Sequence, residues 1–328
     1  MPQVVTLGDI NLDIIAHISY YPPSGGDGLA QQASMHSGGS AANTAIALAR
    51  LGVETGLIGR VGKDPMAEWA LAELAEAGVE LSAIQRDEEA MTGMMFIAVT
   101  PDGERTMFGY RGANARTSPA LLDESYIASA SLLHLSGYAL LEEPQRDAAL
   151  LALEMAHRAG LAVSLDLGLE ATLKRTEEVR DLLPQIDLLL LTLAEAERLT
   201  GCRDAEEAAK RLLSCGAKAV ALKLGERGCL ISSEEGNLPV PAFSVEVKDT
   251  TGAGDAFDAG LIFGRLKGLG WRESAVLANA LGALAASVEG AGGSLPGRRE
   301  VCAFLEEHEG DPSWQGWRRE LRCLLDLL

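Results

Sequence analysis

The residues most suited to chemistry lie late in the chain, in the run Asp-Thr-Thr-Gly-Ala-Gly-Asp-Ala-Phe at positions 249–257. Gly252 and Gly254 flank Ala253, and the apolar spacing beyond them predicts a helix. A glycine-rich segment that opens a helix points several backbone N–H groups outward, with the positive end of the helix dipole behind them, and so forms an anion site without lysine. Asp255 falls in the first helical turn, where it either complements the dipole or acts as a base.

Two other nucleotide-binding patterns do not fit the chain. A dinucleotide fingerprint, G-x-G-x-x-G, would need glycine where Phe257 stands, so a nicotinamide oxidoreductase is not favoured. A P-loop would need Ser or Thr after Gly62-Lys63, where the chain has Asp64, and a glycine in place of Leu57.

Two polar segments near the N-terminus are candidates for ligand recognition. At positions 38–45 the run Gly-Gly-Ser-Ala-Ala-Asn-Thr-Ala lets a helix start approach a ligand closely, and Asn43 can direct its amide at a hydroxyl. At positions 8–13 the run Gly-Asp-Ile-Asn-Leu-Asp follows the first predicted strand, and ligands of open parallel sheets lie at the carboxyl ends of the strands. The alternatives are a tightly packed helix start in the first segment and turn capping in the second.

The elements that position these segments alternate along the chain. Strands are predicted at Val4–Leu7, Glu54–Ile58, Leu132–Leu135, Ala162–Leu165, Leu188–Leu191, Ala219–Lys223 and Cys229–Ser232. Helices are predicted at Ser40–Leu51, Met66–Ala77, Gln145–Ala159, Ala205–Ser214, Glu273–Val288 and Pro312–Leu328. Apolar strands that alternate with helices predict a mostly parallel sheet covered on both faces.

Two segments interrupt the alternation. Residues 18–37 contain paired prolines and paired glycines and show no helical period. Residues 92–110 predict two strands, Met94–Thr100 and Arg105–Tyr110, joined by the turn Pro-Asp-Gly-Glu. An antiparallel hairpin inside a parallel chain is an appended element, and we expect it to cover a site as a lid. A surface hairpin without that role is the alternative.

Composition narrows the class of protein. The net charge of −19, from 28 basic and 47 acidic residues, would repel nucleic acid and anionic membranes, so we expect neither as a partner. The N-terminus lacks a signal-peptide pattern, and no window holds about 18 consecutive apolar residues. Five scattered cysteines without a C-x-x-C pattern favour free thiols and a cytoplasmic location.

Together these segments resemble the ribokinase-like family, also called the PfkB carbohydrate kinases, over roughly Val4 to Pro296. Residues 38–43 and 58–64 are similar to the family's N-terminal signature, and residues 249–257 to its C-terminal one. The resemblance implies an α/β three-layer sandwich in which helices flank a mostly parallel central sheet. It also implies a single domain over residues 1–328, with a small β-sheet lid from about 14–37 and 92–112.

The resemblance further implies an ATP-dependent kinase that transfers the γ-phosphate to a sugar hydroxyl. Asp255 is then the base, and the amides of Gly252, Ala253 and Gly254 form the anion hole. The expected substrate-binding residues are Asn11, Asp13, Gly39, Ser40, Asn43 and Arg111. The expected nucleotide-binding residues are Asp166, Lys223, Gly225, Gly228 and Asn279. Glu195 is expected to hold Mg²⁺ through water, and a monovalent-cation loop for K⁺ is expected at Asp249, Thr251 and Ser294.

Three departures from the family pattern bear on the magnesium site or on the substrate. Thr192 replaces the asparagine of the Asn-x-x-Glu run at the magnesium-water site. Ser40 stands where ribose-type members carry lysine, which weakens a ribose assignment. Glu170 stands where ketodeoxygluconate kinases place a second arginine, and it would repel a carboxylate substrate. A neutral polyol or nucleoside is therefore favoured.

Other functions stay open at this point. A nucleoside kinase and a 2-keto-3-deoxygluconate kinase are alternatives within the family, and a non-catalytic sensor of a sugar or nucleotide is the alternative from another class. The resemblance also implies a homodimer formed through the lid.

Overall fold

Parallel strands with helical crossovers dominate the chain, as the alternation of apolar runs predicts. The computed structural model describes residues 1–101 and 104–328. Two residues of the predicted turn, Asp102 and Gly103, lie outside the described residues. The strands are β1 Val4–Leu7, β2 Asn11–Ile18, β3 Ala30–Gly38, β4 Thr55–Gly62, β5 Ile84–Asp87, β6 Gly93–Val99, β7 Arg105–Tyr110, β8 Leu132–Ser136, β9 Ala162–Asp166, β10 Leu188–Thr192, β11 Val220–Lys223, β12 Cys229–Ser233 and β13 Gly236–Val240. The helices are α1 Ser40–Arg50, α2 Pro65–Glu76, α3 Glu124–Ala128, α4 Gln145–Ala159, α5 Leu169–Lys174, α6 Thr176–Leu182, α7 Leu193–Thr200, α8 Ala205–Ser214, α9 Ala253–Leu266, α10 Trp271–Ala286, α11 Arg298–Glu309 and α12 Arg318–Leu327.

A large sheet forms the centre of the fold. Among the described residues it has nine strands in the order β13-β12-β11-β10-β9-β8-β1-β4-β5, and the pairs are parallel except for β11–β12 and β12–β13. Val4 packs in an apolar cluster with α1, α2, α9 and α10, whereas Val5 and Leu7 pack in a second cluster with α4 and α8. Side chains of β1 therefore point alternately into two helical layers. This arrangement confirms the predicted three-layer α/β fold.

A second sheet lies apart from the first. Within the described residues its order is β3-β2-β6-β7, with β2 parallel to β6 and both other pairs antiparallel. The predicted hairpin strands correspond to β6 and β7, so that prediction is confirmed. The strand β3 was not predicted, because most of its residues are exposed on both faces and carry no apolar alternation. We call this four-stranded sheet the lid sheet.

Helix ends follow local chemistry in the sequence. The carboxylate of Asp64, which rules out a P-loop, accepts hydrogen bonds from the N–H groups of Met66 and Ala67 at 3.0 and 3.2 Å and so caps α2, with Pro65 at its first position. Helices α4 and α8 have the predicted bounds. No helix within residues 1–101 and 104–328 is long and apolar enough to cross a membrane.

The predicted C-terminal helix begins later than expected. Residues Pro312–Trp317 form a 3₁₀ turn, and α12 begins only at Arg318. Trp314 is buried and its ring stacks on Phe243, with the centroids 3.7 Å apart. Because this aromatic contact comes from a distant part of the chain, the helical spacing of the apolar residues could not reveal it.

Candidate active site

The proposed base lies where two helix starts meet. Helix α9 begins directly after Gly252, whose φ of 74° is a left-handed conformation that favours glycine, and Asp255 occupies the first turn. Asn43 of α1 donates a hydrogen bond from Nδ2 to Asp255 Oδ2 at 2.8 Å. Asn43 Oδ1 accepts from the N–H of Gly292 at 3.3 Å. The two sequence signatures thus share one site.

The environment of Asp255 adjusts its proton affinity. Burial and, to a smaller extent, the negative charge of Asp166 raise the pKa of Asp255 to about 6 in all. The hydrogen bond from Asn43 and the charge of Lys223 act in the opposite direction. A carboxylate with this pKa is ionised at neutral pH and accepts a proton more readily than an ordinary aspartate.

A second carboxylate, Asp13 of β2, is nearly inaccessible to solvent, with 6% of its surface exposed. Its Oδ1 atom accepts no hydrogen bond from the part of the chain that the structure describes. Burial, with a smaller contribution from the charge of Asp255, raises the pKa of Asp13 to about 7. A Cβ atom on Gly38 would lie 2.2 Å from this carboxyl group, so only glycine fits there. The unpaired oxygen suits a ligand hydroxyl, because a buried acceptor normally has a donor.

Backbone geometry also brings the other N-terminal candidates together. Gly39, with φ of 98°, precedes α1, and a Cβ atom there would lie 2.2 Å from the carbonyl oxygen of Asp9. Asn114 is buried and donates from Nδ2 to Asn11 Oδ1 at 2.8 Å and to the Ile10 carbonyl at 3.0 Å. Sequence reasoning assigned no role to Asn114. Its position in the polar segment after the hairpin was the available signal.

Arg111 is engaged in an ion pair beside this region. Its Nε and Nη2 atoms donate to the two carboxylate oxygens of Asp9 at 3.2 and 3.0 Å, and Nη1 donates to Glu142 at 3.2 Å. Nη2 also contacts the carbonyl of Tyr138 at 2.9 Å and the side chain of Gln145. The guanidinium donors are directed at protein groups, so contact with substrate stays a prediction for Arg111.

Lys223 lies beneath the start of α9, between two carboxylates. Its Nζ atom lies 2.9 Å from Asp166 Oδ1 and 2.8 Å from Asp258. Burial alone would lower the pKa of Lys223, but the charges of Asp166 and Asp258 raise it above the ordinary value. Oxygen atoms of Asp166, Asp255 and Asp258 lie within 4.8 Å of one another, so Lys223 compensates their negative charge. Ser40 Oγ donates to Asp166 at 3.3 Å, which ties α1 to the same cluster.

Asp258 escaped the sequence predictions although it is fully buried. It lies three residues after Asp255, one helical turn along the same face of α9. That spacing was a usable signal. What the spacing could not show is that Lys223, from a strand 35 residues earlier, supplies the opposite charge.

Glu195 and Thr192 form a capping box at the start of α7. Glu195 Oε2 accepts from the Thr192 N–H at 2.8 Å, and Thr192 Oγ1 accepts from the Glu195 N–H at 3.3 Å. Threonine therefore replaces asparagine without loss of the helix cap. Burial raises the pKa of Glu195, and the charge of Asp166 adds to the shift. Asp166 ends β9, and Glu195 lies in the first turn of α7, which follows the neighbouring strand β10; both offer the carboxylate oxygens that suit Mg²⁺.

The predicted nucleotide loop forms with two left-handed glycines. Gly225 and Gly228 have φ of 61° and 87°, and a Cβ atom on Gly228 would lie 2.1 Å from the Val240 carbonyl oxygen. Asn279 of α10 donates to the carbonyls of Val240 and Pro241 at 3.3 and 2.9 Å. The predicted nucleotide loop, the end of β13 and α10 therefore meet, and the hydrogen bonds of Asn279 join α10 to the end of β13.

The residues predicted to hold a monovalent cation lie close to one another. Asp249 Oδ1 accepts from the N–H and hydroxyl of Thr251 at 2.9 and 2.7 Å, and Oδ2 accepts from the Gly290 N–H at 2.9 Å. The hydroxyl of Ser294 lies near Gly290. Arg105 of the lid sheet also donates to Asp249, at 2.5 Å, a contact that the sequence did not suggest.

Known proteins have sequences similar to this one over most of its length. Residues 1–298 match the pfkB family carbohydrate kinases. The chain belongs to the PfkB family of carbohydrate kinases. It is 34% identical over 310 residues to an ATP-dependent ribose-1-phosphate kinase of Halopiger xanaduensis, with 94% of this chain and 99% of that protein covered. It is 33% identical over 320 residues to fructokinase-1 of Oryza sativa subsp. japonica, with 92% and 97% covered.

A solved structure agrees with this assignment. An E. coli protein provisionally named ribokinase II, in complex with ATP and Mg²⁺, matches with a TM-score of 0.85 and 26% identity over 94% of this chain and 100% of that one. This PfkB kinase is accordingly a phosphotransferase with an alcohol group as acceptor. ATP and Mg²⁺ are the cofactors that the comparison supports.

Proposed function

We propose that the protein transfers the γ-phosphate of ATP to a hydroxyl of a neutral sugar, with Asp255 as the base. The observation that carries the proposal is that two carboxylates with different hydrogen-bond partners lie close enough for the charge of one to raise the pKa of the other. Asp255 sits at a helix start beside a glycine-rich segment, and Asp13 is buried with an oxygen that has no partner within residues 1–101 and 104–328. One carboxylate can orient a diol while the other accepts a proton, and the N–H groups of α9 can hold the transferred group.

The chemistry follows from these positions. A sugar hydroxyl that donates to Asp13 Oδ1 is held in place, and a neighbouring hydroxyl gives its proton to Asp255. Its oxygen then bonds to the γ-phosphorus while the bond to the bridging oxygen of ADP breaks. The amides of Gly252 and Gly254 stabilise the negative charge on the phosphoryl oxygens, and the amide of Ala253, which donates to the Thr250 carbonyl at 3.3 Å, joins them when that bond opens. Bound Mg²⁺, held through Glu195 and Asp166, would supply further charge neutralisation on the phosphates.

The substrate is best described as a fructose-like or ribose-like sugar. Glu170 forms an ion pair with Lys174 at 2.8 Å and places a negative charge where ketodeoxygluconate kinases carry an arginine. Ser40, which stands where ribose-type members carry lysine, donates a hydrogen bond to Asp166 and so belongs to the group of polar residues around Lys223. Ribose, ribose 1-phosphate, fructose and nucleosides should be compared in one panel, because the relatives act on substrates of these classes by name.

Replacing Asp255 by Asn tests the assignment of the base. Loss of general-base catalysis should reduce ADP formation at least about 100-fold, while binding of ATP and the melting temperature stay near those of the wild type. Asp204→Asn is a matched control: Asp204 caps α8, and asparagine caps helices equally well. Full turnover by Asp255→Asn would contradict the assignment of Asp255 as the base. Absence of ADP release by the wild type with every compound would favour a sensor.

A homodimer through the lid sheet is a second part of the proposal. In the strand register Met35, Ile14, Phe96 and Phe108 form one row across β3, β2, β6 and β7. Met35, Phe96 and Phe108 are 47%, 41% and 59% exposed, so the row is an apolar strip on the surface. A second copy could cover it. Light scattering at micromolar concentration tests this, and a monomer would count against it.

A further inference from the structure

One side chain joins the lid sheet to the segment that precedes the anion hole. Arg105 is the first residue of β7, an edge strand of the lid sheet. Its Nη1 atom lies 2.5 Å from Asp249 Oδ1 and also donates to Thr251 Oγ1, while Nη2 donates to Thr250 Oγ1. The side chains of Arg105 and Asp249 are 21% and 11% exposed, so the ion pair is largely removed from water.

The register places Arg105 on the same face of the lid sheet as Asp13. Arg105 pairs with Val99 in the β6–β7 ladder, and Val99 pairs with His17 of β2. Because side chains alternate with a period of two, His17 and Asp13 share a face, and Arg105 shares it as well. The lid position that holds Asp13 beside Asp255 is therefore the position in which Arg105 reaches residues 249–251.

Asp249 links Arg105 to the backbone that precedes the proposed anion hole. Besides the guanidinium, it holds the N–H and hydroxyl of Thr251 through Oδ1 and the N–H of Gly290 through Oδ2. Gly252 follows Thr251 directly and opens α9. A guanidinium bound to Asp249, Thr250 and Thr251 therefore restrains the backbone immediately before the amides proposed to hold the transferred phosphoryl group.

The same contact decides whether these residues fit a monovalent cation. Such a cation needs oxygen ligands directed at it, and the guanidinium of Arg105 already occupies Oδ1 of Asp249. The hydroxyl of Thr251 accepts from Arg105. A second positive charge at Asp249 would also be repelled by the guanidinium. With Arg105 in place, Asp249 and Thr251 do not fit K⁺.

We propose that Arg105 takes the place of the monovalent cation at this corner, as a positioning residue that couples the lid sheet to the anion hole. The inference rests on the proposed kinase function for its kinetic consequence. It makes phosphoryl transfer by this protein independent of K⁺. Removing the side chain opens the oxygen ligands of Asp249 and Thr251, so an Arg105→Ala variant acquires a response to K⁺ that the wild type lacks.

The experiment compares the wild type, Arg105→Ala and Arg105→Lys in KCl and in tetramethylammonium chloride at equal ionic strength. ADP is quantified by chromatography, so that no coupling enzyme contributes its own cation requirement. The wild type should differ by less than about twofold between the salts. Arg105→Ala should lose at least about tenfold in kcat/KM in tetramethylammonium and recover part of it in KCl. Arg105→Lys, which keeps the charge, should lose less.

A charge-matched control is Arg203→Ala, which removes an 89% exposed arginine that pairs with Glu197 on the surface. It should behave as the wild type in both salts. The melting temperature provides a readout that does not depend on activity: K⁺ should raise it, relative to tetramethylammonium, only in Arg105→Ala.

Three results would overturn the inference: a K⁺-activated wild type, a K⁺-specific rise in the melting temperature of the wild type, or unchanged kinetics in Arg105→Ala. If the wild type phosphorylates no compound, the proposed function fails. In that case the effect of K⁺ on the melting temperatures of the wild type and Arg105→Ala still tests whether Arg105 takes the place of the cation.

Discussion

Replacing Asn43 by Ala removes the hydrogen bond that holds the proposed base in its ionised form. Asn43 Nδ2 donates to Asp255 Oδ2 at 2.8 Å, and this bond lowers the pKa of Asp255 against the effects of burial and of Asp166. Without the amide the carboxylate loses stabilisation, so its pKa rises. The activity of the variant should therefore fall at a higher pH than that of the wild type.

The expected size of the shift follows from the bond. A hydrogen bond to a charged group contributes about 1.5–3 kcal/mol, which corresponds to about 1–2 pKa units. Asp255 is partly exposed by surface area, so water can replace the amide, and we expect the lower end, a rise from about 6 to about 7. At pH 6 the ionised fraction would drop from about one half to about one eleventh, a loss of about fivefold in rate.

The assay is the pH profile of kcat/KM, followed by ADP formation from pH 5 to pH 9. Asp13 titrates in the same range, since burial and the charge of Asp255 raise its pKa to about 7, so the quantity to compare is the shift between variants. Asn43→Ala also removes the acceptor for the Gly292 N–H. That loss should lower the rate equally at every pH, and at pH 8.5 it can be measured alone.

Asn237→Ala is the matched control, because Asn237 accepts a hydrogen bond from Ser232 at 2.8 Å in the β12–β13 hairpin and, among the described residues, shares no side-chain hydrogen bond with a proposed site residue. Its pH profile should overlay that of the wild type. An acid limb of Asn43→Ala at the wild-type position, with a loss that is uniform across pH, would refute the argument that this amide sets the proton affinity of Asp255.

Two further predictions concern stability. Lys223→Met leaves the carboxylates of Asp166 and Asp258 without their cation, which should lower the free energy of unfolding by about 3–5 kcal/mol in urea titrations. Adding Asp258→Leu should restore part of that free energy. A wild-type unfolding midpoint in the single variant would show that Lys223 does not balance these charges. Thr192→Ala removes the α7 cap and should lower the free energy of unfolding by about 1 kcal/mol, whereas Thr192→Asn should stay close to the wild type. Equal losses of stability in both variants would disprove the capping role.

Local pattern was enough for most elements of the core. The helix predicted at Gln145–Ala159 has identical bounds in the structure, because its apolar spacing is regular and Gly160, with φ of 75°, ends it in a left-handed turn. The helix start at Ala253 likewise follows from Gly252. Both rest on interactions between residues a few positions apart, which a sequence shows directly.

The lid sheet was only half predictable. The strands β6 and β7 follow from their apolar character and the intervening turn, but β3 is polar and largely exposed on both faces. It is a strand because β2 pairs with it from Asn11 to Ile18. Hydrogen bonds to a neighbouring strand can form with almost any side chain, so this pairing leaves little trace in the polar sequence.

The sequence by itself determined the parallel α/β architecture, the two helix starts and the position of Asp255, since each depends on local spacing of glycine, apolar and acidic residues. Only the tertiary structure decided the partners of the charges. Lys223 compensates Asp166 and Asp258 from 57 and 35 residues away, and Arg105 reaches Asp249 across 144 residues. Charge compensation depends on distance in space, and folding brings together groups whose separation along the chain carries no such information.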